Sequence, residues 1–345
     1  MSKPWFRFGH LSQSQDDESS HPASPATPAS PPERAAESVD APVDAPADAP
    51  TDAPTDAPPA AEHVERLPGM GQPIPTYDNT QTAGDWLSMM SQVTAVTAYK
   101  TLSFDLLDLH PGERVVDVGC GIGQDARELA RRVGPDGAVV GVDGSEEMIA
   151  RAIAATNVTD AETASAPRFV MGDATALPLE TGAYDVLRAD RLLQHVDKPL
   201  QALIEFRRVL RPGGRVVFVE PDWKTMAVYP GSGAGGEDDR CVAALFDWQV
   251  AHTRHPMIGR QLRMLLTLAG FTAVTVTPVA YASTSFLEAD LALELSHAAA
   301  AAAKQWPARL SEDEVEAWRV TAQAAAAAGH FFASVPLFFA HAIVG

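Results

Sequence analysis

The stretch Val115-Val-Asp-Val-Gly119-Cys-Gly-Ile-Gly123-Gln-Asp125 constrains the fold more than any other part of this chain. A short apolar run, interrupted only by Asp117, leads into a loop with glycine at every second position. A segment able to form a helix follows at once. Glycine accepts left-handed dihedrals and lets backbone approach a ligand closely, and a helix N-terminus presents free N–H donors. The stretch therefore predicts a buried strand, a ligand-facing turn and a helix, which is the opening of a βαβ unit in a parallel sheet.

The alternation continues along the chain. Strands are expected near 114–118, 138–143, 168–171, 184–189 and 215–220. Helices are expected near 125–133, from Glu146, and from Asp197 with Pro199 in a first turn that tolerates proline. Leu200, Leu203, Phe206 and Leu210 line one stripe of the last of these helices. Right-handed crossovers then give an α/β fold, a Rossmann-like seven-stranded sheet with helices on both faces and ligands at its carboxyl edge. The end of the chain departs from this alternation. Phe271–Val279 alternates like a half-buried strand, helices are expected at about 285–304 and 312–327, and Phe331–Val344 returns as a last strand. Ser311 to Glu314 forms a capping box before the second helix. The two helices form a helical cap inserted before the last strand, and the segment 67–107, with a helical pattern from about 85, is expected to join it.

Composition divides the chain in two. Residues 1–65 are rich in Pro, Ala, Ser and Asp, and repeat the tetrad Asp44-Ala-Pro-Ala, Asp48-Ala-Pro-Thr, Asp52-Ala-Pro-Thr, Asp56-Ala-Pro-Pro. Such a segment buries too little apolar surface to offset its chain entropy, so a disordered acidic tail is expected before a single folded domain at 66–345. The tail holds twelve acidic and three basic residues, leaving −10 of the total charge of −19 on the folded part. That acidity argues against a nucleic-acid partner, whose phosphates need a basic footprint. Cys120 and Cys241 are the only cysteines, which points to a reducing, cytoplasmic setting without a structural disulfide. No apolar run is long enough for membrane insertion or a signal peptide.

Two cofactors fit the glycine loop at this stage. A nicotinamide dinucleotide wants Gly-x-Gly-x-x-Gly, whereas here Gln124 stands in the place of the third glycine. Asp143, at the end of the second strand, suits either cofactor, because both present a ribose diol there. From Val115 to Gly123, through Val140-Gly-Val-Asp-Gly-Ser145, Met171-Gly-Asp-Ala174 with Leu177-Pro178, and Tyr184-Asp185 to Leu192-Leu-Gln-His195, to Leu210-Arg-Pro-Gly-Gly214, the chain resembles the class I S-adenosylmethionine-dependent methyltransferases. The similarity spans about residues 110–225 and is nearest to the ubiquinone/menaquinone-biosynthesis-like branch (methyltransferase type 11). It implies S-adenosyl-L-methionine as cofactor. The glycine loop (Gly119, Gly121, Gly123) would pass its methionine and ribose parts, Asp143 with Gly144 would take the ribose, and Asp173 and Ala174 the adenine edge, with Met148 on the adenine face. Asp117 would orient the loop or meet the ammonium group.

The acceptor side is less defined. His195 is the leading candidate for a general base, with Arg191, Arg188 and Asp190 beside it. Glu220, Asp222 and Trp223 follow the fifth strand and are expected to line the acceptor pocket. Tyr77, Trp86, Met89, Met90, Phe286 and Trp306 would make it apolar, which favours a small, partly apolar molecule such as a natural-product or quinone-like ring. His252 and His255 read as a solvent-facing pair rather than metal ligands, and Gly231–Gly236 as a loop over the site. The competing readings are a nicotinamide-dependent oxidoreductase and a cofactor-binding protein without catalysis.

Overall fold

Five apolar runs become the parallel part of one sheet: β1 (Arg114–Val118), β2 (Ala138–Asp143), β3 (Arg168–Met171), β4 (Tyr184–Asp190) and β5 (Leu210–Pro221). The computed structural model describes residues 83–156, 166–229 and 237–345. The tail, the first part of the expected cap segment with Tyr77, and the Gly231–Gly236 loop lie outside the described residues. Three more strands follow, β6 (Ala227–Tyr229), β7 (Phe271–Ser283) and β8 (Phe332–Val344). Hydrogen bonding runs in the order β3-β2-β1-β4-β5-β8, with β7 antiparallel to β8.

The described residues thus hold eight strands where seven were expected. Residues 215–221 of β5 pair with 343–337 of β8, and 227–229 of β6 pair with 334–332 further along β8. Because β7 pairs with β8 from end to end, β5 and β6 occupy the same edge, one after the other. Eight strands therefore fill seven columns. Arg211-Pro-Gly-Gly214 forms a bulge within β5: Tyr184 pairs with Leu210, and two residues later Val186 pairs with Arg215.

Ten helices are described: α1 (Ala83–Met90), α2 (Thr94–Leu106), α3 (Gln124–Val133), α4 (Glu146–Thr156), α5 (Pro199–Val209), α6 (Glu237–His252), α7 (Ile258–Leu268), α8 (Phe286–Leu293), α9 (Leu295–Gln305) and α10 (Glu312–Ala327). Alternation along β1 divides the core between the two faces. Val115 packs with Leu129, Val133 and Phe169 on one, and Val116 and Val118 with Leu203, Phe206 and Leu262 on the other.

The cap has a core of its own. Trp318, Leu245, Ala299 and Phe331 are buried in it, and the Phe286 ring meets Trp318 and Phe331 edge-on at 5.9 and 5.5 Å. Three expectations change here. The helix expected at 285–304 breaks at Glu294, whose φ of 54° is left-handed, so α8 and α9 replace it. The pattern at 85–107 divides at Ser91–Val93 into α1 and α2. The sequence reading also leaves out α6, although Cys241, Ala244, Leu245 and Trp248 share one helical stripe and are all buried against α9 and α10.

Candidate functional site

The strand order reverses between β1 and β4, so the loops leaving their carboxyl ends diverge and open a crevice. The glycine loop forms its floor. Gly119, Gly121 and Gly123 have φ of 76°, 51° and 74°, which side-chain-bearing residues rarely adopt. The N–H groups of Gly119 and Cys120 donate to the Val142 carbonyl, and the Gly121 N–H donates to Asp143 Oδ2 at 2.9 Å. Asp143 Oδ1 accepts the Ser145 N–H, so this one carboxylate fixes both turns while its burial pushes its pKa up.

The cavity is lined on this side by Gly119, Gly121, Asp143 and Met148, and an adjoining depression by Gly144 and Ala174. Three expected cofactor residues are not part of this lining. Gly123 faces the protein: a Cβ there would stand 2.5 Å from the Phe169 ring, so its glycine lets α3 pack on the sheet. Asp173 caps its own turn, accepting the Thr175 N–H at 2.7 Å and its hydroxyl at 2.8 Å. Asp117 does not bind the loop amides. Its Oδ1 meets Arg188 at 3.3 Å, its Oδ2 has no hydrogen-bond partner, and burial pushes its pKa up to about 7.

Arg188 organises the centre. Its guanidinium is buried and reaches Asp125 at 3.0 Å, Asp190 at 3.0 Å and the Ser103 hydroxyl at 3.2 Å, with the Phe104 ring beneath it. Lys100 joins through Asp125 at 2.8 Å. Burial pushes the Asp125 carboxyl up, but the two cations outweigh it and hold the group well below its usual range. The sequence reading names Arg188 and Asp190 beside the site and Asp125 only as the start of a helix, and it leaves out Lys100, because α2 lies far from β4 in sequence.

The next turn holds the polar groups of the acceptor side. Arg191 has a left-handed φ of 53°, and Leu192, Gln194 and His195 line the cavity with it. Glu220, expected as a pocket residue, is instead fully buried beneath this turn. Its Oε1 accepts the N–H groups of Leu192 and Leu193 at 2.8 and 2.6 Å, and burial pushes its pKa up to about 8. Asp222 is also buried, capping the turn at Trp223 and bound to Arg260. Trp223 does reach the cavity, with its Nε1–H donating to Gln194 Oε1 at 2.7 Å.

The cap supplies the roof. Trp86, Leu87 and Met90 come from α1, Gln249 and Thr253 from α6 and the residues just after it, and Leu293 from α8. Trp86 is oriented by its own Nε1–H, which donates to the Leu291 carbonyl at 3.0 Å. Met89 and Phe286 point into the cap core, and Trp306 packs beside it, so none of the three lines the cavity. His252 is exposed, as expected, and stacks on Trp248; His255 is half-buried and donates from Nε2 to the Val196 carbonyl. Cys120 and Cys241 are buried thiols outside any disulfide, and burial pushes the Cys120 thiol up. Among the described residues, no helix is long and apolar enough to cross a membrane.

Residues 116–218 match a family model described as a methyltransferase domain. An uncharacterized 37.1 kDa protein in transposon TN4556 of Streptomyces fradiae is 39% identical over 258 residues, which cover 73% of this chain and 69% of that protein. Demethylmenaquinone methyltransferase of Lactococcus lactis is 38% identical over 118 residues, 34% of this chain and 46% of the relative. The chain thus spans about half the length of that enzyme. Among solved structures, the [4+2]-cyclase SpnF is similar at 24% identity and a TM-score of 0.44, covering 71% of this chain and 80% of its own. A SAM-dependent methyltransferase from Aquifex aeolicus is similar at 15% identity and a TM-score of 0.43, over 71% of this chain and 89% of that one.

Proposed function

The chain belongs to the class I S-adenosylmethionine-dependent methyltransferases of the ubiquinone/menaquinone-biosynthesis-like branch, and we propose that it methylates a small, partly apolar acceptor held under its helical cap. One observation carries this reading: the glycine loop with Asp143 and the apolar roof of Trp86, Leu87, Met90 and Leu293 face each other across a single cavity. The floor fits the cofactor. Asp143 keeps lone pairs beyond the two amides it accepts, so it can also take the ribose hydroxyls, and bare backbone at Gly119 and Gly121 allows close approach. Met148 and Ala174 would flank the adenine. When bound, S-adenosylmethionine supplies a methyl group carried on positively charged sulfur.

The protein's own contribution is placement. Collinear positioning of nucleophile and carbon accounts for much of the acceleration of such a displacement. Glu220 fixes the Arg191–His195 turn, and the network around Arg188 fixes the end of β4, so the polar groups of the acceptor side stand on rigid supports. Arg191 and His195 would contact the polar end of the acceptor, and the roof its apolar body. Titration calorimetry with S-adenosylmethionine and with a nicotinamide dinucleotide tests the cofactor assignment, and release of S-adenosylhomocysteine against an acceptor panel tests transfer. We expect binding of the first cofactor only. Tight nicotinamide binding without S-adenosylmethionine binding would end this reading.

A further inference from the structure

We propose that the outer edge of β7 is a self-association surface, on which a second copy of this chain pairs its own β7 antiparallel and continues the sheet. Among the described strands β7 is hydrogen-bonded to β8 alone, so its far side is an edge. The direction of its peptide groups follows from one bond. The Pro336 carbonyl accepts the Asp222 N–H, so Pro336 turns its peptide groups toward β5. Ala280 stands opposite Pro336, in a pair without ladder bonds, and its own N–H and C=O therefore point outward. Alternation sends the groups of Val276 and Pro278 the same way. The Val274 carbonyl is taken by Arg263 at 2.7 Å. Beyond it, the outward N–H groups of Val276 and Ala280 and the carbonyls of Val276, Pro278 and Ala280 receive no bond from the described residues.

Charge and symmetry name the occupant. Strand edges are commonly blunted by shortness or by charge. β3, at the opposite end of the sheet, has both, with four residues and Arg168 first. β7 runs for 13 residues, and no residue from Met264 to Leu287 is charged, in a chain of net charge −19. Two copies repel each other elsewhere and meet here without repulsion. Pro278 lacks its N–H on the outer side, and this sets the register. A two-fold axis at Pro278 places the two prolines opposite each other and pairs Val276 of each copy with Ala280 of the other, which satisfies every N–H and carbonyl of those two residues. An axis perpendicular to the sheet keeps α2 of both copies on one face. α2 packs against β7, and Ala98, Leu102 and Leu106 lie one turn apart on its flank away from the Phe104–Arg132 contact. All three are exposed, each leucine by 37%, and they add apolar area beside the strand pair. The tetrad repeat of the tail is no substitute, because a proline at every fourth residue removes half the donors from one side of any strand.

The test is sedimentation equilibrium of the full chain from about 1 to 100 μM, with residue-resolved amide exchange on the same samples. We expect the mass to rise from 36.6 kDa to twice that value, and the Val276 and Ala280 amides to become protected as it does. Ala280→Pro removes an outward donor without touching the β8 ladder and should weaken association at least about tenfold, whereas Ala280→Val keeps the N–H and should retain it. Thr277→Lys brings like charges together across the axis and should also weaken association. The urea midpoint of each variant reports an intact fold. If Ala280→Pro unfolds the chain, Thr277→Lys decides, because that side chain is exposed. A chain that stays monomeric up to about 100 μM overturns the proposal. Protected Val276 and Ala280 amides in a monomer also overturn it, by placing another part of the same chain on the edge. A dimer indifferent to both Ala280→Pro and Thr277→Lys belongs to a different surface and overturns it as well.

Discussion

The two sides of the cavity are built from different materials. The cofactor side is mostly backbone: two left-handed glycines, Gly119 and Gly121, and one carboxylate, Asp143, drawn from the 25 residues Gly119 to Asp143. The acceptor side is mostly side chains, gathered from α1, the turn after β4, α6 and α8. A ligand shared by a whole family can be held by peptide geometry that tolerates few substitutions. A ligand that varies is met by side chains that can be exchanged without disturbing the sheet.

The largest expected effect breaks the support common to both sides. Arg188→Met would leave Asp117, Asp125 and Asp190 buried around a lost cation, and removal of one partner from such a cluster costs about 3–5 kcal/mol. Urea denaturation should show it, and a loss under about 1 kcal/mol would mean the cluster is not a structural unit. Next, Asp143→Ala should weaken S-adenosylmethionine binding by roughly 1.5–3 kcal/mol in calorimetry, since hydrogen bonds to a charged group are lost. Unchanged affinity would remove the ribose from that carboxylate.

Gly123→Ala probes the one loop glycine that faces inward. Its Cβ would meet Phe169, so overpacking should cost roughly 1–3 kcal/mol of stability, while affinity in the variant that remains folded stays close to wild type. A selective loss of affinity would return Gly123 to the cofactor. The last expectation is a slope with pH rather than a single loss. Glu220 has a native pKa raised to about 8 from a reference of 4.5, so the folded chain holds its proton where the unfolded chain releases it. The stability this provides is complete below about 4.5 and is lost as pH rises toward 8, at up to roughly 1.4 kcal/mol per pH unit. Glu220→Gln keeps the acceptor for the Leu192 and Leu193 amides and should flatten this part of the stability profile. An unchanged slope in thermal unfolding between pH 5 and 8 would show that Glu220 does not titrate there.

The same contrast explains what the sequence discloses. The parallel strands, the glycine turn and Asp143 are legible because they rest on local periodicity and one short spacing. Gly123 shows the limit of that reading, since its spacing matches its neighbours while its Cβ direction points the other way. Glu220 was expected in the pocket because it ends a strand at the correct edge, yet which face it takes depends on the turn after β4, made some thirty residues earlier. Lys100 and Asp125 meet through tertiary packing alone. Phe286 carries the composition of a pocket residue and the position of a core one, and only the partners supplied by α10 and Phe331 decide between them.

The strand that joins the two halves of the sheet also sets an order of assembly. β8 lies between β5 and β7 but is synthesised after both, so a growing chain carries β5 with an open edge while α6 to α10 are being made. The cap helices among them, α6 and α8 to α10, cannot lie down as a finished roof until β8 fills the gap, because Phe331, Ala333, Val335 and Leu337 belong to the cap core. The binding chamber therefore closes in the same late event that completes the sheet, and a chain halted before that event displays both an unsatisfied strand edge and an uncovered apolar ceiling.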